Sequence, residues 1–147
     1  MDTLTPSSRS WNMSRIRARD TAPERLVRSL LHKEGYRFRL HTGLPGTPDI
    51  VLPKYRSVIL VHGCFWHRHR SCKYAYTPKS RQSFWQTKFV TNVARDRQVR
   101  RQLKKLGWRV IIVWECETKD LHSLRPKIVG LLMPSLMENE VRNVRRK

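Results

Sequence analysis

Acidic residues are the scarce class in this chain. Asp and Glu total 11 against 31 Lys and Arg in 147 residues, a formal net charge of +20. A folded domain tolerates that self-repulsion poorly unless a polyanion neutralises it. The shortage of acids points to nucleic acid over an anionic membrane or a merely soluble basic surface. Long apolar runs are missing too. None approaches the roughly 20 residues a membrane span needs, and the polar N-terminus MDTLTPSSRSW holds no apolar segment of signal-peptide type. No membrane partner and a cytoplasmic location are expected. Cysteines number three, an odd count that argues against a disulfide framework and fits a reducing compartment. No internal repeat is visible.

What is present reads as one α/β domain. Residues 1–12 are polar and read as a flexible arm, 13–134 as the domain, and 135–147 as a loose basic tail. Thr21, Pro23 and Glu24 mark a helix start with a capping box. Leu26, Val27, Leu30 and Leu31 follow as its apolar face, and Gly35 stands at its C-terminal cap. Tyr36, Phe38 and Leu40 alternate with arginines, predicting a half-buried strand. Asp49 opens a short apolar strand, 50–52, and residues 57–61 form a strand buried on both faces. A long helix is predicted over 81–106, with Trp85, Phe89, Val93, Val99, Leu103 and Leu106 on one seam. Asp96 interrupts that seam and needs a partner, for which the neighbouring arginines are candidates. Residues 109–114 form another central strand, and a helix of about ten residues starts near Ser123. The sum is a mixed sheet flanked by helices.

The densest chemistry lies in HGCFWHRHRSC, residues 62–72, with three histidines, two cysteines and the pair Phe65-Trp66. Cys64, His67, His69, Cys72 and the more distant Cys116 contain enough Cys/His ligands for a tetrahedral zinc site. Three cysteines and one histidine would meet the count, leaving one histidine spare, and the spacing does not say which. Asp49 and His62 stand at facing ends of two neighbouring strands, where a carboxylate can anchor a hydrolytic Mg2+ and a histidine can move a proton. Alternatively, Asp49 is a Pro-Asp turn residue. The (D/E)-x-K element of a generic nuclease is missing; Val61-His62-Gly63 stands in its place. Trp108 and Trp114 read as core aromatics. Phe65 and Trp66 read as exposed, because consecutive turn residues do not easily enter one core. Apolar side chains of this kind can wedge between base pairs.

Five segments taken together resemble the very short patch repair (Vsr) endonucleases, which nick DNA beside T·G mismatches. They are NMSRIRARDTAPE, PGTPDIV, VHGCFWHRH, FWQTKFVTNVARDR and LGWRVIIVWEC, in the family's order over residues 12 to 116. The resemblance implies a restriction-endonuclease-like fold with a structural zinc and a catalytic Mg2+. By position it implies Asp49 and the Val61 carbonyl as Mg2+ contacts, with Glu24 supporting the metal through water. It implies His67 as the catalytic histidine and His62 as a second histidine near the scissile phosphate. Cys64, His69, Cys72 and Cys116 match the zinc ligands, although Arg70 and Ser71 put one more residue than the family's spacing between His69 and Cys72. Phe65, Trp66 and Trp85 match an aromatic wedge, and Lys88 and Asn92 in the fourth segment are expected at the DNA. The implied enzyme is a nucleoid-associated monomer on mismatched double-stranded DNA, with mismatch-repair proteins as candidate partners. Two other readings share the charge and the motif: a non-catalytic zinc module binding structured DNA, and a nuclease of this fold in a restriction or mobile system.

Overall fold

The structure, a computed structural model, describes residues 20–145, with side chains to residue 133. The expected arm at 1–12 lies outside these residues, as do the side chains of the basic tail. Helix α1 spans Ala22–Lys33. Its start follows the sequence signal with one change. Thr21 caps through Oγ1, which accepts from the Glu24 N–H at 3.4 Å. Glu24 Oε2, however, reaches back to the Asp20 N–H at 2.8 Å instead of to the cap residue itself. Gly35, at φ 84°, closes the other end, where a left-handed backbone is needed. The Tyr36 N–H then donates to the Leu31 carbonyl at 3.0 Å.

The sheet has three strands in the order β1-β2-β3. Strand β1 (Ile50–Leu52) pairs antiparallel with β2 (Ser57–His62) across the Pro53–Tyr55 turn of 3-10 helix. Strand β3 (Arg109–Trp114) pairs parallel with β2, and the crossover between them is helix α2 (Gln82–Lys105). Gly107, at φ 90°, ends that helix. A 3-10 turn, Glu115–Lys119, leads into α3, Leu121–Arg145.

Both faces of the sheet are covered, which is why β2 is apolar without alternation. On one face Ile50, Leu52, Ile59, Ile111 and Val113 meet Val27 and Leu31 of α1 and Leu124, Ile128 and Leu132 of α3. On the other, Val51 and Val58 meet Leu103 of α2. The result is a mixed sheet flanked by helices, the restriction-endonuclease-like architecture. Among the described residues no helix is long and apolar enough to cross a membrane.

Four expectations are corrected. The strand predicted at 36–40 shrinks to one bridge, Arg39 to Val51, because β1 is too short to offer a longer ladder. Strand β3 is an edge of the described sheet, with alternating burial, instead of a central strand. Leu106, the C-cap of α2, is 53% exposed and leaves the apolar seam. Helix α3 is longer than its apolar stripe implied; backbone helix continues past Leu132, through the span read as a loose tail, to Arg145.

Candidate active site and metal cluster

The pairing of β1 with β2 sets the site. Asp49 precedes β1 and Val61 lies near the end of β2, and the two ends are side by side. The Val61 N–H donates to Asp49 Oδ2 at 2.7 Å. Glu24 reaches the same place from the first turn of α1, buried at 4% exposure. Burial pushes the Asp49 carboxyl up to about 7; the charge and hydrogen bond of Glu24 add to the rise, against the Val61 N–H and His67. Arg28 lies over the acids, 2.8 Å from Asp20 and 3.3 Å from Glu24. A buried carboxylate beside a second acid is poorly compensated, and hard oxygen donors in that arrangement suit a divalent cation such as Mg2+.

The opposite wall carries the histidines. His62 and His67 stack with centroids 3.9 Å apart and planes 8° from parallel. Burial, and then the charge of His67, press His62 down to about 4, so it is neutral at physiological pH. His67 Nδ1 lies 2.7 Å from Asp96 Oδ2. A carboxylate accepts only, so His67 donates from Nδ1 and presents Nε2 as its free nitrogen. This identifies the partner of Asp96 as His67, not one of the arginines expected from sequence. Asp49, Glu24, Val61, His62, His67 and Asp96 all line one cleft of about 1080 Å³. Arg25, Arg28 and Arg95 line it too and supply positive charge for a phosphate chain.

Behind the histidines is the sulfur cluster. Cys64, His69, Cys72 and Cys116 bring their ligand atoms within 4.8 Å of one another. Cys116 Sγ lies 3.4 Å from His69 Nδ1, and the Cys116 N–H donates to Cys64 Sγ at 3.4 Å. Burial drives the Cys64 thiol up to about 12, so a thiolate there at neutral pH needs a cation beside it. Three sulfurs and one imidazole are the donor set of a closed structural zinc site. Ser71, just before Cys72, has a left-handed backbone, φ 58°. Trp114, read from sequence as a core aromatic, stacks on His69 at 4.2 Å and meets the edge of His62 at 5.4 Å. It joins the sulfur cluster to the cleft, a role that an apolar strand pattern does not reveal.

The aromatics correct another expectation. Phe65 and Trp66 are half-buried, not free, and Trp85 is 7% exposed. Phe65 packs edge-on against Trp66 at 5.0 Å, Trp85 at 5.4 Å and Phe89 at 5.3 Å. Helix α2 gives the two turn residues a common surface outside the main core. Asn92 donates to the Trp66 carbonyl at 3.4 Å. Lys88 stands exposed beside Phe84, with its Nζ 5.9 Å from the ring centroid.

Comparison with known proteins follows the same outline. The family model described as DNA mismatch endonuclease Vsr matches residues 1–74. The chain is 50% identical over 135 residues to the type II nicking enzyme V.XorIIP of Xanthomonas oryzae pv. oryzae, covering 91% of this chain and 98% of that one. It is 46% identical over 124 residues to the DNA mismatch endonuclease Vsr of Escherichia coli K12, covering 84% and 79% respectively. Among solved structures, the catalytic domain of the homing endonuclease I-Bth0305I superposes with a TM-score of 0.56. That match covers 80% of this chain and 99% of the other at 19% identity, a likeness of fold.

Proposed function

The chain belongs to the Vsr family of DNA mismatch endonucleases, and from that premise we propose that it nicks duplex DNA at T·G mismatches, with Mg2+, cutting the phosphodiester 5′ to the mismatched thymine and leaving a 5′-phosphate and a 3′-hydroxyl. Its character as a DNA-nicking endonuclease follows from the family. Metal-dependent hydrolysis is supported by one observation, that the acids Asp49 and Glu24 and the polarised histidine His67 face the same cleft, and the mismatch target by the family's description.

Mg2+, held by Asp49 and the Val61 carbonyl with Glu24 acting through water, would neutralise the phosphodiester and lower the pKa of an attacking water. The chain's own residues do the rest. Asp96 keeps the proton of His67 on Nδ1, so Nε2 is the atom that takes a proton from water or returns one to the leaving oxygen. His62 fixes the plane of that ring by stacking, and as a neutral imidazole near the scissile phosphate it offers a hydrogen bond, not a charge. Cys64, His69, Cys72 and Cys116 would hold zinc and fix the loop that carries His67. The half-exposed edges of Phe65 and Trp66 form the wedge, with Trp85 as its support, and Lys88 and Asn92 contact the DNA beside it.

A second reading, a nicking enzyme attached to a restriction system with another target, draws support from the description of V.XorIIP as a type II nicking enzyme. One assay separates them: end-labelled T·G and fully paired duplexes incubated with the protein in Mg2+ or EDTA. A Mg2+-dependent cut 5′ to the thymine of the T·G duplex alone supports the proposal. Equal cutting of paired DNA supports the second reading.

A further inference from the structure

Arg68 sits between the two histidines of opposite duty, His67 and His69, and neither duty explains it. Its backbone is left-handed, φ 55°, a conformation uncommon for a non-glycine residue and costly unless the surroundings hold it. Its side chain is half-buried and fully engaged. One guanidinium nitrogen donates to the Tyr76 carbonyl at 2.9 Å and the Phe65 carbonyl at 3.3 Å. The other donates to Thr77 Oγ1 at 3.0 Å. The guanidinium carbon lies 3.9 Å from the centroid of the Phe89 ring, in cation–π contact. Three segments therefore meet on one planar group: the turn with Phe65, the far side of the loop at Tyr76-Thr77, and helix α2 through Phe89.

We propose that Arg68 is a positioning residue for mismatch sensing: it bolts the loop of residues 65–77 onto α2 and so holds the Phe65-Trp66 edge at the angle at which it meets a distorted base step. This rests on the T·G reading above. The Phe65 backbone is tied directly, through its carbonyl, and the Phe65 ring meets Phe89, which also contacts the guanidinium and Trp85. The sulfur cluster takes only His69 and Cys72 from this loop; no member of it hydrogen-bonds Tyr76 or Thr77, both of which Arg68 holds. Tyr76, 63% exposed and 5.1 Å from Phe65, is carried by the same bolt and extends the aromatic edge outward. Lysine cannot replace the arrangement, because a point charge does not form the fork and cover a ring at once. Glycine relieves the left-handed backbone and removes the bolt.

The experiment compares Arg68→Lys and Arg68→Gly with the unaltered protein on three readouts. Hydrogen exchange of the free protein reads the loop. Fluorescence of 2-aminopurine placed beside a T·G pair reads insertion. KM and kcat for nicking T·G and paired duplexes read discrimination, and bound zinc and melting temperature report integrity. Both variants are expected to retain zinc, to exchange faster at 65–77, to lose most of the 2-aminopurine signal, and to show a KM for T·G duplex raised about tenfold, the loss of one well-made interaction. A fall confined to kcat, or loop protection and 2-aminopurine signal unchanged in both variants, overturns the proposal. Should Arg68→Gly fail to fold, Arg68→Lys decides alone. Should the unaltered protein show no T·G preference, the functional reading falls, and hydrogen exchange still decides whether Arg68 bolts the loop.

Discussion

His67 and Asp96 are 29 residues apart in sequence and 2.7 Å apart in space. The acid that interrupts the apolar seam of α2 is there to hold a histidine. Asp96→Asn keeps the size of the side chain but offers a neutral amide where the imidazole has a carboxylate. It is expected to lower the nicking rate at saturating DNA by at least ~10², the scale of a disabled proton carrier, with DNA affinity little changed. Single-turnover kinetics beside a binding titration check this. A variant that nicks at the original rate would remove Asp96 from the site.

Asp49 gives a pH-dependent prediction. Its folded pKa, raised to about 7 chiefly by burial, exceeds the unfolded value of 3.8. The folded state thus holds the proton more tightly, and the metal-free protein loses stability as pH rises from about 4 to about 7. Above that window the loss is complete. Asp49→Asn removes the buried charge and can keep the Val61 N–H bond. It is therefore expected to stabilise the metal-free protein by more than about 1 kcal/mol at pH 8 and by little at pH 4. Thermal melts in EDTA at both pH values test this; equal stabilisation at both would contradict the account of burial.

The sulfur cluster predicts one zinc per chain, measurable by elemental analysis of the purified protein. Cys116→Ala removes the ligand contributed from beyond β3 and detaches the loop from the sheet. Zinc affinity and nicking are expected to fall together, while β1 and β2, which do not depend on Cys116, stay paired. Retained stoichiometry in Cys116→Ala would exclude it as a ligand.

The charge of +20 predicts strong salt dependence of binding. With roughly six phosphates contacted, log K against log salt should fall with a slope near −5. Replacing Arg95, which lines the cleft, should reduce that slope by about one. A slope near zero would leave the positive surface without a nucleic-acid role.

Much of the fold was legible because its signals are local. Thr21, Gly35 and Gly107 punctuate helices, and the unbroken, β-branched run 57–61 fits a strand covered on both faces. The strand expected at 36–40 is reduced to one bridge because alternation says that a segment is half-buried, not that a partner strand is long enough to pair with it. At the site, the density of Cys and His within residues 62–72 and the family's motifs single out residues that the structure gathers around one cleft and one sulfur cluster. Their relationships were not legible. Which nitrogen of His67 is free depends on Asp96, 29 residues away on α2. That Trp114 stacks on His69 depends on the parallel register of β2 and β3, which sets His62 opposite Trp114. Phe65 and Trp66 are less exposed than their place in a turn implies because α2 provides them with a second, separate aromatic surface.

The most direct test of the shared cleft is Asp49→Ala assayed on T·G duplex for binding and nicking under identical conditions. The account predicts affinity within several-fold of the original protein and no detectable Mg2+-dependent nick. Nicking at the original rate by Asp49→Ala would contradict it, because the acid and the histidine would then not be serving the same bond.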